Sequence, residues 1–307
     1  MSGMTLIVDR RGAALELAGH DVIVLREPER AATRIGVRAL SAVLLHGEVS
    51  ITTGVLRAIA EHNVSLIALP VRGGRTAAAF SVPSTRLPRL RHAQHLAYAS
   101  PAQRLSIARL CVLAKLDGQR ATLAAAGASA EATLEEGNLA AVSSIAALMG
   151  CEGAASAKYF RQLGDIWPSP WTFDGRTRRP PLDPVNAMLS LGYTLALAGV
   201  ERQLARFGLD LQVGFLHGIQ RDRHSLALDI LEAARSAVDL WVWTLCRERV
   251  ADPERFTLSE QDGCRLDKEG RQAFYRDWFA RGLAMAEHPA RRLVARLLRM
   301  LRGDSSE

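Results

Sequence analysis

The chain has 307 residues, 48% hydrophobic and 23% charged, which excludes an intrinsically disordered protein and leaves room for one large or two ordinary cores. Its net charge of +7 comes from arginine, since lysine occurs only at Lys115, Lys158 and Lys268, and guanidinium groups suit phosphate, so nucleic acid is a reasonable partner. The start MSGMTLIVDR lacks the apolar core of a signal peptide, the most apolar window (Ala187–Val200) is too short to span a bilayer, and Cys111, Cys151, Cys246 and Cys264 show no CxxC spacing; a cytoplasmic protein with no membrane span, zinc site or disulfide framework is expected.

In chain order, TLIVDR, ALELAG, DVIVL, SAVLLHG and VSLIALP are short, rich in Val, Ile and Leu, and separated by turn residues, so they predict strands. One helix, roughly Thr53 to His62, interrupts them. The Pro and Ser punctuation of SVPSTRLPRL ends this pattern, and from there almost everything to residue 302 has a helical period. The expected fold class is α+β: a small N-terminal β-domain over residues 1–85, then a larger all-α domain over residues 86–307.

Within the helical part, MGCEGAASAKYF predicts a helix from Glu152 to Leu163, with Ser156 and Tyr159 on the face of Glu152. By itself Glu152 is a first-turn acid stabilised by the helix dipole. WPSPWTFDGRTRRPPLDP, from Trp167 to Pro184, holds five prolines and cannot be helical. Its Arg176, Arg178 and Arg179, interleaved with tryptophans, suit phosphate contact and base stacking, or equally a rigid connector with solvated arginines.

GFLHGIQRDRHSLALDILEAARSAVD carries acids on an otherwise apolar helix. At about 100° per residue Asp229, Glu232, Ser236 and Asp239 share one narrow stripe, and a helix apolar nearly all round is buried. Two carboxylates in a buried cleft repel unless something positive neutralises them. One candidate is a divalent cation, with carboxylate oxygens and the His217 imidazole suiting manganese or magnesium. The other is pairing with Arg221, Arg223 or Arg235. Finally, PARRLVARLLRMLRGDSSE sets Arg292, Arg296 and Arg299 opposite Leu293, Val294, Leu297, Met300 and Leu301, an amphipathic helix expected to dock on the core, with DNA as the second use of its basic face and a membrane surface as the third.

Taken together, CEGAASAKYF, FDGRTRRPPLDPVNAMLSLGYTLA and GFLHGIQRDRHSLALDILEAAR, in that order, resemble the signature of the catalytic integrase subunit of CRISPR spacer acquisition, the Cas-one family. The resemblance extends through VSITTGVLRAIAEHNVSLIALPVRGGR and RHAQHLAYASPAQRLSIARLCVLAKLDGQR, and so covers most of the chain. It departs from the family's pattern at Ala234, where proline is common, and at Leu191, where an aromatic is frequent.

The resemblance implies a β-domain used for homodimerisation and a helical catalytic domain. It implies a metal, Mg2+ or Mn2+, held by Glu152, His217 and Glu232, with Asp229 close by and orienting them as a fourth catalytic residue. The implied reaction is insertion of short duplex DNA into a CRISPR repeat by attack of a 3′-hydroxyl, together with the small dimeric acquisition subunit. Arg176, Arg178, Arg179 and Arg223 are the candidate phosphate contacts, and His224 is either near the metal or a residue at a helix start. Two rivals stand beside this reading: a metal-dependent nuclease for branched DNA in repair, and a non-catalytic DNA-binding scaffold whose acids form internal salt bridges.

Overall fold

The computed structural model describes residues 4–62, 64–69, 78–80, 87–128, 139–177, 180–259 and 263–303. The chain divides into two compact units, Met1–Ser84 and Thr85–Glu307.

The first unit holds β1 (Met4–Val8), β2 (Ala13–Ala18), β3 (Val22–Arg26), β4 (Thr33–Gly36), β5 (Leu40–His46), β6 (Val49–Ile51), α1 (Thr53–Glu61), β7 (Ser65–Leu69) and β8 (Ala78–Phe80). They form two four-stranded sheets, ordered β1-β5-β7-β8 and β4-β3-β2-β6. In the first, β1, β5 and β7 run parallel and β8 closes the edge antiparallel. Strand β5 sits inside this sheet and buries Leu40 and, past the half-buried Ser41, the unbroken apolar run Ala42, Val43, Leu44 and Leu45, the pattern of a strand covered on both faces. Helix α1 turns Val55, Ala58 and Ile59 into a core shared with Leu15 and Ile23 of one sheet and Val43 and Leu66 of the other. The five expected strands are present; β4, β6 and β8 are additional, each only three or four residues long, too short for an alternation to register.

The second unit holds α2 (Pro88–Ala99), α3 (Pro101–Ala125), α4 (Ile145–Asp165), α5 (Pro184–Arg206), α6 (Ser225–Arg247), the hairpin β9 (Phe256–Ser259) and β10 (Gly263–Leu266), α7 (Lys268–Asp277) and α8 (Leu283–Arg302). The β9–β10 hairpin interrupts what reads as a helical run, because four-residue strands carry too little pattern to be seen. Helix α6 is the axis, packed against α3, α5 and α8 and buried nearly all round. It approaches α3 closely at Gly118, where an added side chain would strike the Ser236 hydroxyl, and one turn on the Thr122 hydroxyl donates to the Ser236 carbonyl at 2.8 Å.

Helix α4 begins seven residues before Glu152, at Ile145, with the Ser144 hydroxyl accepting from the Ala147 N–H at 3.2 Å. Glu152 is therefore mid-helix, not the first-turn acid expected; the apolar Ile145 and Leu148 extend the helix backwards through a glycine that reads as a boundary. Helix α8 docks Leu293, Val294, Leu297, Leu298 and Leu301 on the core and leaves Arg292, Arg296 and Arg299 outside. Met300, expected on the apolar face, is 40% exposed. No helix of the described residues is long and apolar enough to cross a membrane.

Candidate active site

Three helices bring ionisable groups to one place. From α3, the Lys115 ammonium enters a buried position and meets two carboxylates: Glu152 of α4, in a short ion pair, and Glu232 of α6, whose Oε2 lies 2.7 Å from Nζ. Arg235, one turn along α6, donates from Nε to Glu232 Oε1 at 2.9 Å. Burial would raise the Glu232 carboxyl, but Arg235 and Lys115 outweigh it and hold the group down at about 2, so Glu232 is ionised at neutral pH. Ser156, one turn after Glu152 on the same face, donates to Glu152 Oε1 at 2.9 Å, as the four-residue spacing predicts.

Asp229 is the first acid of the pair and lies one turn before Glu232 on α6. It is fully buried and accepts four hydrogen bonds from the segment Phe215–His217: the backbone N–H of Phe215 at 2.5 Å, of Leu216 at 3.0 Å and of His217 at 2.9 Å, and the His217 Nδ1 at 2.7 Å. A short carboxylate thus folds a turn around itself and fixes which ring nitrogen of His217 it engages, leaving Nε2 as the other. Asp239, two turns beyond Glu232, accepts from Tyr159 at 2.9 Å and from Tyr193 through a short hydrogen bond. The Arg176 and Arg235 guanidiniums lie over the Tyr193 ring, at 5.2 Å and 4.8 Å from its centre. Burial raises both phenols well above their ordinary value, so they remain donors.

Glu152 and Glu232 are therefore brought together, and Asp229 and His217 are bound to each other. Among the described residues no group of three or more His, Cys, Asp and Glu is arranged to hold a metal ion, and a lysine ammonium stands between the two glutamates instead. Lys115 was not a candidate in the sequence, although a lysine in the apolar run ARLCVLAKLDGQ of a chain so poor in lysine is the signal that marks it. Tyr193 gave no signal beyond its place in a helical run.

The arginines separate. Arg176, expected at DNA phosphates, turns inward and donates to Asn186 Oδ1 at 2.6 Å and Ser190 Oγ at 2.9 Å, because a planar fork over the Tyr193 ring finds acceptors along α5. Arg178 and Arg179 lie outside the described residues. Arg223 reaches Gln220 at 2.8 Å on the surface, and His224 stands just before α6 without capping it, its side chain paired through Nδ1 with Glu201 at 2.7 Å. Trp167 and Trp171 are buried, packed edge-on or tilted against Phe173 and Phe256, so they are core and not stacking platforms.

A β-rich unit followed by a helical unit whose buried acids converge from separate helices defines the class: a two-part α+β protein with two glutamates on one lysine and, on the same helix as one of them, an aspartate bound to an imidazole. The family model for CRISPR associated protein Cas1 matches residues 6–279. The chain is 35% identical, over 94% of its length and 82% of the relative's, to a CRISPR-associated endonuclease Cas1 of Thermus thermophilus. In fold it is similar to a Cas1 protein from Thermotoga maritima, with a TM-score of 0.88 at 23% identity over 99% of this chain and 100% of that one. A casposase bound to its integration product gives a TM-score of 0.84 at 22% identity over 99% and 92% of the two chains. The chain belongs to the Cas1 family of CRISPR-associated proteins.

Proposed function

We propose that the protein is a metal-dependent DNA endonuclease and integrase of CRISPR adaptation, which joins short duplex DNA to a CRISPR repeat. The observation that carries this reading is the convergence of Glu152 and Glu232 on one cation, with the Asp229 anchor of His217 one turn away on the same helix. The relative named an endonuclease and the casposase captured with an integration product support it.

In kind the residues suit a divalent ion such as Mg2+ or Mn2+, although with the Lys115 ammonium between the glutamates no three of them are arranged to hold one. Two carboxylates and an imidazole are its ligand chemistry, and Glu232 Oε2 already faces a cation, the ammonium 2.7 Å away. Glu152 and Glu232 would hold the ion through oxygen and His217 through Nε2. When bound, it supplies charge stabilisation to a phosphodiester and to the oxygen that leaves. Asp229 keeps the imidazole oriented, and Arg235 keeps Glu232 ionised in a site where burial would otherwise favour its neutral form. In the joining step a DNA 3′-hydroxyl oxygen bonds to phosphorus as the bond to the target strand's 3′-oxygen breaks; the attacking oxygen loses a proton and the departing one gains it, so no nucleotide is consumed. The partners on this reading are the duplex to be inserted, the repeat, a second copy of the chain through the N-terminal unit, and the small dimeric acquisition subunit.

A second reading, a DNA-binding scaffold, is favoured by one observation: the ion pairs of Lys115 and Arg235 compensate the glutamates internally. One experiment separates them. Purified protein is incubated with a labelled duplex and a plasmid carrying a CRISPR array, in manganese, magnesium or EDTA. Joined product that requires metal and is lost in Glu152→Gln and His217→Ala, with DNA binding retained, is the expected result. Metal-dependent cleavage of branched DNA without joining points to a repair nuclease, and DNA binding with neither joining nor cleavage leaves the scaffold.

A further inference from the structure

Lysine is scarce in this chain: three positions among 39 basic residues. One of the three is buried at the meeting point of α3, α4 and α6, where an ammonium serves two carboxylates at once. A guanidinium is broad and binds carboxylate through a planar fork; an ammonium is compact, carries its charge at a point and sits on a flexible stem that can swing. The site therefore holds a small cation in the place where two carboxylates would ligate a metal.

On its other side Lys115 lines a cavity of about 30 Å³, which it shares with Gln119, Ser156, Tyr193, Arg235 and Asp239. That is water-sized space, and hence the size of an ammonium head. Gln119 follows Lys115 by one turn on α3 and is 2% exposed, and its Oε1 accepts no hydrogen bond although it is buried. An unsatisfied buried carbonyl is costly and calls for a donor. Two guanidiniums, Arg176 and Arg235, also line this cavity, and the Asp239 carboxylate, which already receives two tyrosine hydroxyls, offsets part of their charge, so among the described residues the Gln119 carbonyl is the one acceptor there without a donor of its own.

We propose that Lys115 is a resident counterion of the Glu152–Glu232 pair that a metal must displace, and that Gln119 in the adjoining cavity receives the displaced ammonium. The lysine keeps the two acids from repelling in the metal-free protein and competes with the incoming ion, so metal occupancy is set by an internal exchange of cations. The inference rests on the metal reading given above.

The test is a manganese titration of the EDTA-stripped full-length protein, followed by the electron paramagnetic resonance signal of free Mn2+, on wild type, Lys115→Met and Gln119→Met. Removing the competitor should tighten binding in Lys115→Met by about tenfold, and removing the receiving carbonyl should weaken it by about tenfold in Gln119→Met, the usual scale for groups that act on a metal through its ligands. A merely structural lysine predicts the opposite, because losing it would splay the ligands. Unchanged or weaker binding in Lys115→Met, with wild type binding normally, overturns the inference alone; a wild type that takes up no manganese overturns the metal reading and this inference with it. Should Lys115→Met fail to fold, Gln119→Met decides: weaker binding with an unchanged metal-free melting temperature upholds the exchange, and unchanged affinity overturns it.

Discussion

Asp229 grips His217 twice, through the backbone N–H at 2.9 Å and through Nδ1 at 2.7 Å, and it does so from a fully buried position on the neighbouring helix. One side chain thus ties the Phe215–His217 turn to α6 and sets the imidazole's orientation. Asp229→Asn keeps the shape but replaces one acceptor oxygen with an amide that donates towards N–H groups. We expect a loss of about 3 kcal/mol of stability, since hydrogen bonds to a charged acceptor are the stronger kind. Urea unfolding at neutral pH checks this, and a variant as stable as wild type would remove Asp229 from its anchoring role.

Acids that only crowd one another would be relieved of repulsion by Glu232→Gln, whereas a salt-bridged acid would be missed; the structure presents the second case, because Lys115 and Arg235 neutralise Glu232 in a buried setting. Breaking such a pair from one side typically costs about 3 to 5 kcal/mol. Glu232→Gln should therefore melt well below wild type in EDTA. Manganese should raise the wild-type melting temperature by linkage and raise the mutant's much less. Thermal melts of both proteins in EDTA and in manganese provide the comparison; equal metal-induced shifts would take Glu232 out of the ligand set.

Burial lifts the Asp239 carboxyl from 3.8 to about 6, against the lowering effect of hydrogen bonds from Tyr193 and Tyr159. Between those values the folded protein keeps a proton that the unfolded chain has released. Stability should therefore fall as the pH rises through that window and level off above it. Asp239→Asn cannot titrate, so the stability difference between wild type and mutant should shift against the wild type from about pH 4 to about pH 7. Denaturant unfolding at several pH values across this range measures it; a difference that does not change with pH would place the Asp239 carboxyl at an ordinary value.

Arg176 is spent on Asn186 and Ser190. Arg176→Ala should lower the melting temperature and leave the salt dependence of DNA binding unchanged, whereas loss of a true phosphate contact reduces the slope by about 1. Titrating binding at several salt concentrations distinguishes the two.

Assembly can be tested through the N-terminal unit. Strands β1 and β8 are the outer strands of its first sheet; β1 begins with Met4 and β8 ends with Phe80, large apolar residues both 59% exposed. Such edges are usually covered, and a second copy is the expected cover. Sedimentation at micromolar concentration should report a dimer, with Met4→Lys plus Phe80→Lys shifting it towards monomer. A wild-type monomer would rule the arrangement out.

Much of this architecture was legible beforehand, for reasons that can be named. The strands with strong Val, Ile and Leu runs declared themselves, while β4, β6, β8 and the β9–β10 hairpin fell below the length at which alternation is visible. The acid stripe Asp229, Glu232, Ser236 and Asp239 was readable because 3.6-residue periodicity is local, and all four are buried as that periodicity requires. What each acid touches was not readable, because Lys115, Tyr159 and Tyr193 arrive from other helices and only tertiary packing decides their distance. For the same reason Arg176 looked like a surface charge: nothing local shows that Tyr193 and Asn186 wait beneath it.

The Lys115 centre draws its members from three well-separated helices, the last of which ends at Arg247. During synthesis the first two can emerge and even coil long before the third leaves the ribosome. Neither half of the carboxylate pair is then opposite its mate, and the nascent chain has no site to expose. The Lys115 centre is thereby withheld from every product that stops short of the third helix, by chain order alone and without a separate inhibitor.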